Sequence, residues 1–304
     1  MKTSRFAISR LRDVPSALAP GRGVPAGAGS SDPYVLWRPA GPVAAGELHL
    51  LLLAGLAMAA FIVPVLLLYA YVVARYRDRP GHRAPTLPRW RKNAWLESLG
   101  FVLPALLLAV VAVPTVRLTY ALAKVPTRPR PLVVDVTSLD WKWLFEYPAQ
   151  GIATVNYVDI PADRPVLFEL TANSPMNTFW VPRLGGMEYT MPGRVLPLWL
   201  EADRTGTFWG HSGQFSGLAF DAMFFDVRAV RPGAFRRWVA ATRAHSPALT
   251  LAGYRSLLHA GLAPAERFAA FPARTFPAVR HGFTLRGGMY TTMRPASPAG
   301  HSAS

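Results

Sequence analysis

Cysteine is the first residue type that this chain lacks. None of the 304 residues is a cysteine, so disulfides, iron–sulfur clusters, thiolate zinc sites and every copper site that needs a thiolate are excluded. The absence leaves the redox compartment open, because proteins of any compartment can lack cysteine. Charged residues are also scarce, at 16% of the chain against about 25% in typical globular proteins. Together with 51% hydrophobic residues, this composition indicates a chain with extensive apolar surface.

Acidic side chains are few outside the middle of the chain. The 33 basic and 17 acidic residues give a net charge of +16. Residues 1–130 hold 17 basic and 5 acidic side chains. Residues 131–230 hold 6 basic and 11 acidic side chains, and residues 231–304 hold 10 basic and 1 acidic side chain. These three compositions indicate three regions. A basic chain can bind nucleic acid, but Lys and Arg also collect beside membrane spans, and we expect no nucleic-acid partner.

Two long runs contain no charged residue. Leu50–Val73 has 24 such residues and Ser98–Val116 has 19. As helices they would reach about 36 Å and about 28 Å, enough to cross the hydrocarbon core of a bilayer. Neither run has a polar face, which argues against a pair of buried helices in a soluble core. We therefore predict a transmembrane helical hairpin over residues 48–120, with a connecting loop over residues 74–97.

The charge of the connecting loop predicts the orientation of the hairpin. The 20 residues before the first span contain Arg38 as their one Lys or Arg. The positive-inside rule therefore places the loop in the cytoplasm and everything after Val116 on the opposite side of the membrane. The basic residues of the loop are Arg75, Arg77, Arg79, Arg83, Arg89, Arg91 and Lys92.

Both ends of the chain have the composition of disordered segments. Residues 1–47 are rich in Arg, Pro, Gly, Ala and Ser, and residues 287–304 are similar. The start is positively charged like a signal peptide, but no apolar stretch of signal length precedes Leu50. Two alternatives stay open, in which this segment crosses the membrane unaided or the true start lies further downstream. The basic C-terminal tail would lie against anionic lipid headgroups or a partner subunit, or would be solvated.

The region after the hairpin has the pattern of a β-sandwich. Short apolar or alternating runs, separated by Gly, Pro and Asp, fill residues 131–230. Residues 231–286 read as a helical extension with two short amphipathic helices. The predicted strands are Leu132–Thr137, Trp141–Tyr147, Ala153–Val158, Val166–Thr171, Val195–Glu201, Thr205–Trp209 and Met223–Val230, and the predicted helices are Phe235–His245 and Leu249–His259.

Four local strings resemble subunit II of the haem–copper oxidases. They are the aromatic string Asp140–Tyr147, the string Asn177–Pro182, the turn Pro192–Arg194 and the string Gly210–Met223. The resemblance implies a membrane-anchored all-β protein, in which the two-helix hairpin is followed by a cupredoxin-like β-sandwich and a short α-helical tail. Asn177–Pro182 and Gly210–Met223 are similar to the two metal-binding loops of that family.

The residues at the metal-binding positions have changed. In the cytochrome c oxidase branch of the family, these loops supply two Cys, two His, a Met and a Glu carbonyl to a two-copper centre. A thioether alone does not hold copper, and the only histidine between residues 131 and 230, His211, reads as a loop or surface residue. We expect no metal on this chain. The former ligand positions fall on Asn177, Ser212, Gln214, Ser216 and Phe220, with Met223 retained.

This loss of copper ligands resembles the ubiquinol oxidase branch, the cytochrome bo type. The strings Asn173–Asn177, Pro182–Gly185 and Gly151–Asn156 are also similar to that branch. The resemblance implies a place in a bacterial inner membrane with the β-domain in the periplasm. It implies no cofactor on this chain, quinol as the substrate of the complex, and haems and copper on the partner subunit I. Smaller membrane subunits would complete the assembly.

Glu97 is the candidate residue for chemistry on this chain. By the resemblance it matches a family Glu at the mouth of a proton-uptake channel, where a carboxylate at the membrane edge collects protons. The alternative is an interfacial residue that the helix dipole favours in a first turn. Likewise Trp141, Trp143, Phe145 and Tyr147 could suggest electron entry, but alternating aromatic residues in a strand usually pack sheet faces.

The sequence therefore favours subunit II of a quinol-oxidising terminal oxidase. It would brace the haem–copper subunit and contribute to proton uptake, and electrons would not pass through it. Two alternatives stay open. One is a membrane-anchored cupredoxin-like scaffold or assembly protein outside any oxidase, and the other is a copper-relaying subunit, against which the absent thiolates count.

Overall fold

The chain is seen here in a computed structural model, which describes residues 37–77, 94–173, 175–273, 275–276, 284–286 and 289–291. The predicted disordered residues 1–36, residues 78–93 of the basic loop and most of the C-terminal tail lie outside the described residues. The expected disorder of those segments and the expected position of the loop therefore stay predictions.

Two long helices form the hairpin. Helix α1 covers Pro42–Tyr76 and helix α2 covers Ala94–Leu122. Both are long and apolar enough to cross a membrane, and their apolar side chains face outward from the chain. Residues 42–47, expected in the disordered segment, belong instead to α1. The helix starts this early because Pro42 fits the first helical position, where its missing N–H costs nothing.

Eleven strands build two facing sheets after the hairpin: ten of them lie between residues 132 and 230, and the eleventh is β11 at Glu266–Phe268. The six-stranded sheet has the order β11-β3-β2-β1-β5-β8, where β11 comes from the C-terminal extension, and the five-stranded sheet has the order β4-β10-β9-β6-β7. The ten strands are β1 Leu132–Leu139, β2 Lys142–Tyr147, β3 Ile152–Val155, β4 Tyr157–Pro161, β5 Val166–Ala172, β6 Asn177–Val181, β7 Gly185–Thr190, β8 Leu196–Leu200, β9 Gly206–His211 and β10 Phe224–Val230.

Aromatic side chains fill the space between the two sheets. Trp143, Phe145 and Tyr147 on β2 are fully buried, which confirms that this aromatic strand packs the core. Phe179 on β6 and Phe225 on β10 stack with ring centroids 4.7 Å apart. Such ring pairs add stabilisation beyond their buried area, so the sandwich is a rigid support for the loops at its ends.

Two of the predicted strand boundaries are wrong. Trp141 precedes β2 in a turn with a φ of 63°. The predicted strand Ala153–Val158 is two strands, because Asn156 between them has a φ of 58°. Asparagine tolerates this conformation, and its side chain is held in place. Its Oδ1 accepts a hydrogen bond from Trp143 N at 2.8 Å, and its Nδ2 donates to Ala263 O at 2.7 Å.

The C-terminal extension covers the outer face of the six-stranded sheet. Helix α3 spans Pro232–His245, helix α4 spans Leu251–Leu257, and β11 at Glu266–Phe268 pairs with β3. The extension was expected to be helical, and it also completes a sheet. Two further strands, β12 at Thr284–Arg286 and β13 at Met289–Thr291, pair with each other. The second of these lies in the tail expected to be disordered, after a Gly-Gly pair of the kind that favours tight hairpins.

Candidate functional site

The residues that the sequence analysis interprets as former metal-ligand positions lie at one end of the five-stranded sheet. Asn177 begins β6, and Ser212 follows directly after β9. Both side chains are buried, with 1% and 3% of their surface exposed. The segment from Gln214 to Met223 then leads into β10, so the two loops that resemble metal-binding loops do meet in space.

A hydrogen-bonded amide and hydroxyl occupy the meeting point of these loops. Ser212 Oγ donates to Asn177 Oδ1 at 3.0 Å and accepts from Thr178 N at 3.5 Å and Gln214 N at 3.4 Å. In addition, Gly213 N donates to Thr178 Oγ1 at 2.6 Å. Side-chain and backbone hydrogen bonds thus hold the first loop to the second, and Thr178 is a member of this network that the sequence analysis missed.

The remaining positions serve packing. The ring of Phe220 packs edge-to-face against that of Phe215, with centroids 5.0 Å apart. Ser216 O accepts a hydrogen bond from Trp141 Nε1 at 3.2 Å. Met223 is fully buried in the main core, and its carbonyl accepts from Trp143 Nε1 at 3.4 Å.

These residues do not fit a two-copper centre. The site offers an amide, hydroxyls and one thioether, whereas copper sites of this kind rest on thiolates and imidazoles. Within the described part of the chain, no three His, Asp or Glu side chains are grouped as metal ligands.

His211 was expected to be a loop or surface residue, and it is instead the last residue of β9. Its half-buried ring stacks on that of Trp209, with centroids 4.5 Å apart, and lies 5.1 Å from that of Trp180. Burial lowers the pKa of His211, although a hydrogen bond with the carbonyl of Ser212 opposes the shift. The alternation of β9 could have revealed this position, since the histidine follows Phe208 and Trp209 in a strand-like run.

Glu97 lies at the opposite end of the molecule. It occupies the first turn of α2 and is exposed in the isolated chain. The helix continues for 25 residues to Leu122, a rise of about 38 Å. Glu97 is therefore separated from the sandwich by the length of a membrane span.

The hairpin is attached to the sandwich by several contacts. Trp199 Nε1 donates to Leu122 O at the end of α2, at 2.6 Å. Ala44 N in α1 donates to Leu184 O at 3.2 Å, and Gly186 N donates to Glu47 Oε1 at 3.0 Å. The close approach at α1 requires glycine at residue 185, where a Cβ would lie 2.5 Å from Ala44 N.

Two buried charged residues, which sequence reasoning missed, lie under the C-terminal extension. Lys142 Nζ donates to Leu257 O at 3.0 Å and His259 O at 2.7 Å, at the end of α4. Burial raises the pKa of Glu146 to about 7, which a hydrogen bond from Thr275 partly offsets. Their alternation with the aromatic residues of β2 indicates a solvated outer face, so the sequence pattern provided no signal that the extension covers them.

The β-sandwich matches the class of periplasmic domains found in subunit II of cytochrome oxidases. Residues 132–230 match the family model described as the periplasmic domain of cytochrome c oxidase subunit II. The solved periplasmic domain of cytochrome oxidase subunit II from Bradyrhizobium japonicum aligns with 38% of this chain and 95% of that chain, at 23% identity and a TM-score of 0.37.

Curated relatives give the particular family. The chain is 38% identical over 235 residues to quinol oxidase subunit 2 of Bacillus cereus, covering 76% of this chain and 81% of the relative. It is 35% identical over 228 residues to cytochrome bo(3) ubiquinol oxidase subunit 2 of Pseudomonas aeruginosa, covering 73% and 68%. The chain belongs to the quinol oxidase subunit 2 family. Its two apolar helices and its periplasmic-type domain indicate a two-pass membrane protein.

Proposed function

We propose that this chain is subunit II of a quinol-oxidising terminal oxidase in a bacterial inner membrane. Quinol oxidation and oxygen reduction take place on a partner haem–copper subunit, which holds the haems and the copper. The chain itself carries no redox centre, and its β-domain faces the periplasm. The names of the Bacillus cereus and Pseudomonas aeruginosa relatives support this reading.

The observation that carries the proposal is the hydrogen bond between Ser212 and Asn177. Both residues stand where a copper-relaying subunit needs soft ligands, and both are buried and paired with each other. A hydroxyl and an amide join the loops, but they are neither the thiolate and imidazole ligands that such copper sites use nor redox-active groups, so they supply no centre for an electron relay. Electrons therefore reach the haem–copper subunit from quinol within the membrane.

The chain braces the large subunit. Phe215 and Leu218, on the loop beside the former ligand positions, expose 69% and 82% of their surface. Large apolar side chains exposed together on a loop are typical of an interaction site. The contacts of Trp199 and Glu47 hold this surface at a set position relative to the helices, which in turn offer apolar faces to a membrane partner.

Oxygen consumption by the affinity-tagged complex, purified from native membranes in mild detergent, tests the proposal. One cuvette receives reduced quinol and the other reduced cytochrome c. We expect oxygen uptake with quinol and none with cytochrome c. Uptake driven by cytochrome c would overturn the assignment of electron entry. A preparation that keeps its partners, yet has no haem and no uptake, would favour a scaffold or assembly protein.

We further propose that Glu97 takes part in proton uptake from the cytoplasm. Its place in the first turn of α2 supports this role, since a carboxylate at the membrane edge can take protons from water and pass them inward. In proteoliposomes, Glu97→Gln should slow quinol-driven oxygen uptake by roughly tenfold. The exposed Glu266 gives the control Glu266→Gln, which should leave the rate unchanged. Equal rates for both variants would make Glu97 an interfacial residue only.

A further inference from the structure

A cavity lies where α1 meets the sandwich, apart from the loops described above. Its volume is about 260 Å³. One wall is a single face of α1, with residues three and four positions apart, and the other wall comes from the end of β6. The lining residues are Ala44, Glu47, Leu48, Leu51, Trp180 and Pro182.

Glu47 is the one charged residue in this lining. Its Oε1 accepts a hydrogen bond from Gly186 N on β7 at 3.0 Å, which fixes the carboxylate against the strand. A carboxylate has about four acceptor positions on its two oxygens, so this bond leaves capacity for a cationic donor. The neighbouring Trp180 adds an aromatic ring, a partner that attracts cations.

With the uncharged run of α1 in the bilayer core, the cavity would lie at the height of the lipid headgroups. Glu47 precedes Leu50, the first residue of the 24-residue uncharged run, by three positions on the non-cytoplasmic side. Below it, Leu51 and Leu52 expose 49% and 50% of their surface on α1. The cavity is therefore polar at the end formed by Glu47. Toward the middle of α1 it continues as an apolar surface, which matches the polar and apolar parts of an amphiphile.

We propose that this cavity binds the headgroup of an aminophospholipid, with the primary ammonium on Glu47 and an acyl chain along α1. A primary ammonium donates hydrogen bonds to a carboxylate, which the trimethylated nitrogen of a choline headgroup cannot do. An anionic headgroup is repelled by Glu47. The inference rests on the membrane position of α1 and not on quinol oxidation. Oxygen uptake by the same preparation tests the proposed function separately.

Lipid binding to the purified complex tests the site. The complex is delipidated in detergent and titrated with phosphatidylethanolamine, phosphatidylcholine or phosphatidylglycerol of identical acyl chains, and binding is read by native mass spectrometry. The wild type should retain an additional phosphatidylethanolamine about fivefold more tightly than either other lipid, which is within the range expected of an ion pair at a solvent-exposed interface.

Two variants and a matched control decide the outcome. Glu47→Gln keeps an acceptor for Gly186 N but loses the charge, and it should abolish the preference. Leu51→Lys places an ammonium four residues after Glu47, where it can pair with it along the helix, and it should also abolish the preference. Glu188→Gln changes a carboxylate that likewise accepts a backbone N–H, from Tyr189 at 2.8 Å, and it should keep the preference.

Three results would overturn the proposal. Equal retention of the three lipids by the wild type would mean that the cavity does not select a headgroup. A preference that survives in both variants would place the lipid elsewhere on the complex. Finally, identical lipid binding by the wild type and by Glu47→Gln would mean that Glu47 does not contact the lipid, as when a side chain of a partner subunit occupies its carboxylate.

Discussion

Ser212 shows what one buried hydroxyl does where the two loops meet. Its hydroxyl is the shared partner of Asn177 Oδ1 and of the backbone N–H groups of Thr178 and Gln214. Removing it leaves three buried or half-buried polar groups without this partner. We expect Ser212→Ala to lower the free energy of unfolding by about 2–3 kcal/mol, because an unsatisfied buried group costs about 1–3 kcal/mol. Thermal unfolding of the chain in detergent measures the change.

Ser216 gives the matched control for this prediction. Its Oγ is buried and has no hydrogen-bond partner within the part of the chain that the structure describes. Ser216→Ala should therefore change the free energy of unfolding by less than about 1 kcal/mol. Equal losses for the two alanine variants would show that the Ser212 network does not hold the loops.

Glu146 makes the stability of the sandwich depend on pH. Burial raises its pKa from 4.5 to about 7, so between these values the folded chain holds a proton that the unfolded chain has lost. The folded state binds more protons in this window, and stability therefore falls as the pH rises from about 4.5 to about 7. Asp159, whose pKa burial raises to about 6, acts in the same direction.

Glu146→Gln should remove most of this dependence. The amide can still pair with Thr275 but carries no charge at any pH. We expect a higher melting temperature than the wild type at pH 8.5 and a similar one at pH 5, with a weaker slope that Asp159 still supplies. Glu266→Gln, at an exposed position of β11, should keep the full slope. A wild type whose melting temperature rises between these two pH values would refute the assignment.

At the scale of elements, the C-terminal extension is fixed to the sheet by a lysine. Lys142 lies on β2 and donates to Leu257 O, in the last residue of α4, and to His259 O just after the helix. Carbonyl groups at a helix end need donors, and a cation there also complements the helix dipole. The extension is thus an integral layer of the domain, with its own apolar cluster around Leu144 and Leu249.

Lys142→Met should loosen this layer without unfolding the sandwich. Methionine keeps much of the apolar stem but leaves the carbonyl groups without their donor, a loss of about 1–3 kcal/mol. Amide hydrogen exchange in residues 250–259 should become faster, while that of the central strands should not change. Arg255→Met, on the exposed side of α4, should leave exchange as in the wild type. Unchanged exchange in Lys142→Met would mean that apolar packing alone holds the extension.

The sequence predicted the elements whose pattern is local. The two apolar runs and the alternating strands were recognisable, because bilayer thickness and the pleat fix their periods. Strands β6 and β7 were not among the predicted strands, since Asn177–Pro182 was interpreted as a loop. Strand β6 joins the sheet through β9, which is distant in the sequence, and β7 joins it only by pairing with β6. The contacts of Thr178, Lys142 and Glu146 likewise join segments distant in the sequence and could not be predicted from local pattern, whereas the role of Glu97 stays a prediction.

At the scale of the whole molecule, the hairpin and the sandwich behave as one unit because their backbones touch. Residues 43 and 44 of α1 pack against Gly185, and Trp199 caps the end of α2. Buried apolar contacts among Val43, Val125 and Leu167 surround this junction. A force on the sandwich is therefore transmitted to both helices, which is what the proposed bracing role requires.

Gly185→Ala tests whether this junction holds the molecule together. The new Cβ would lie 2.5 Å from Ala44 N and 2.8 Å from Val43 Cγ1, at a φ of 98°. Gly151→Ala is the control, because its φ of 66° is also positive but no atom lies within 4 Å of the new Cβ. We expect Gly151→Ala to cost about 1 kcal/mol of folding stability through backbone strain alone.

Gly185→Ala should cost more folding stability and should separate the sandwich from the hairpin. Limited proteolysis in detergent would reveal this separation as faster cleavage between residues 122 and 132. Similar cleavage rates and melting temperatures for the two variants would show that the approach of α1 to residue 185 does not hold the two parts together.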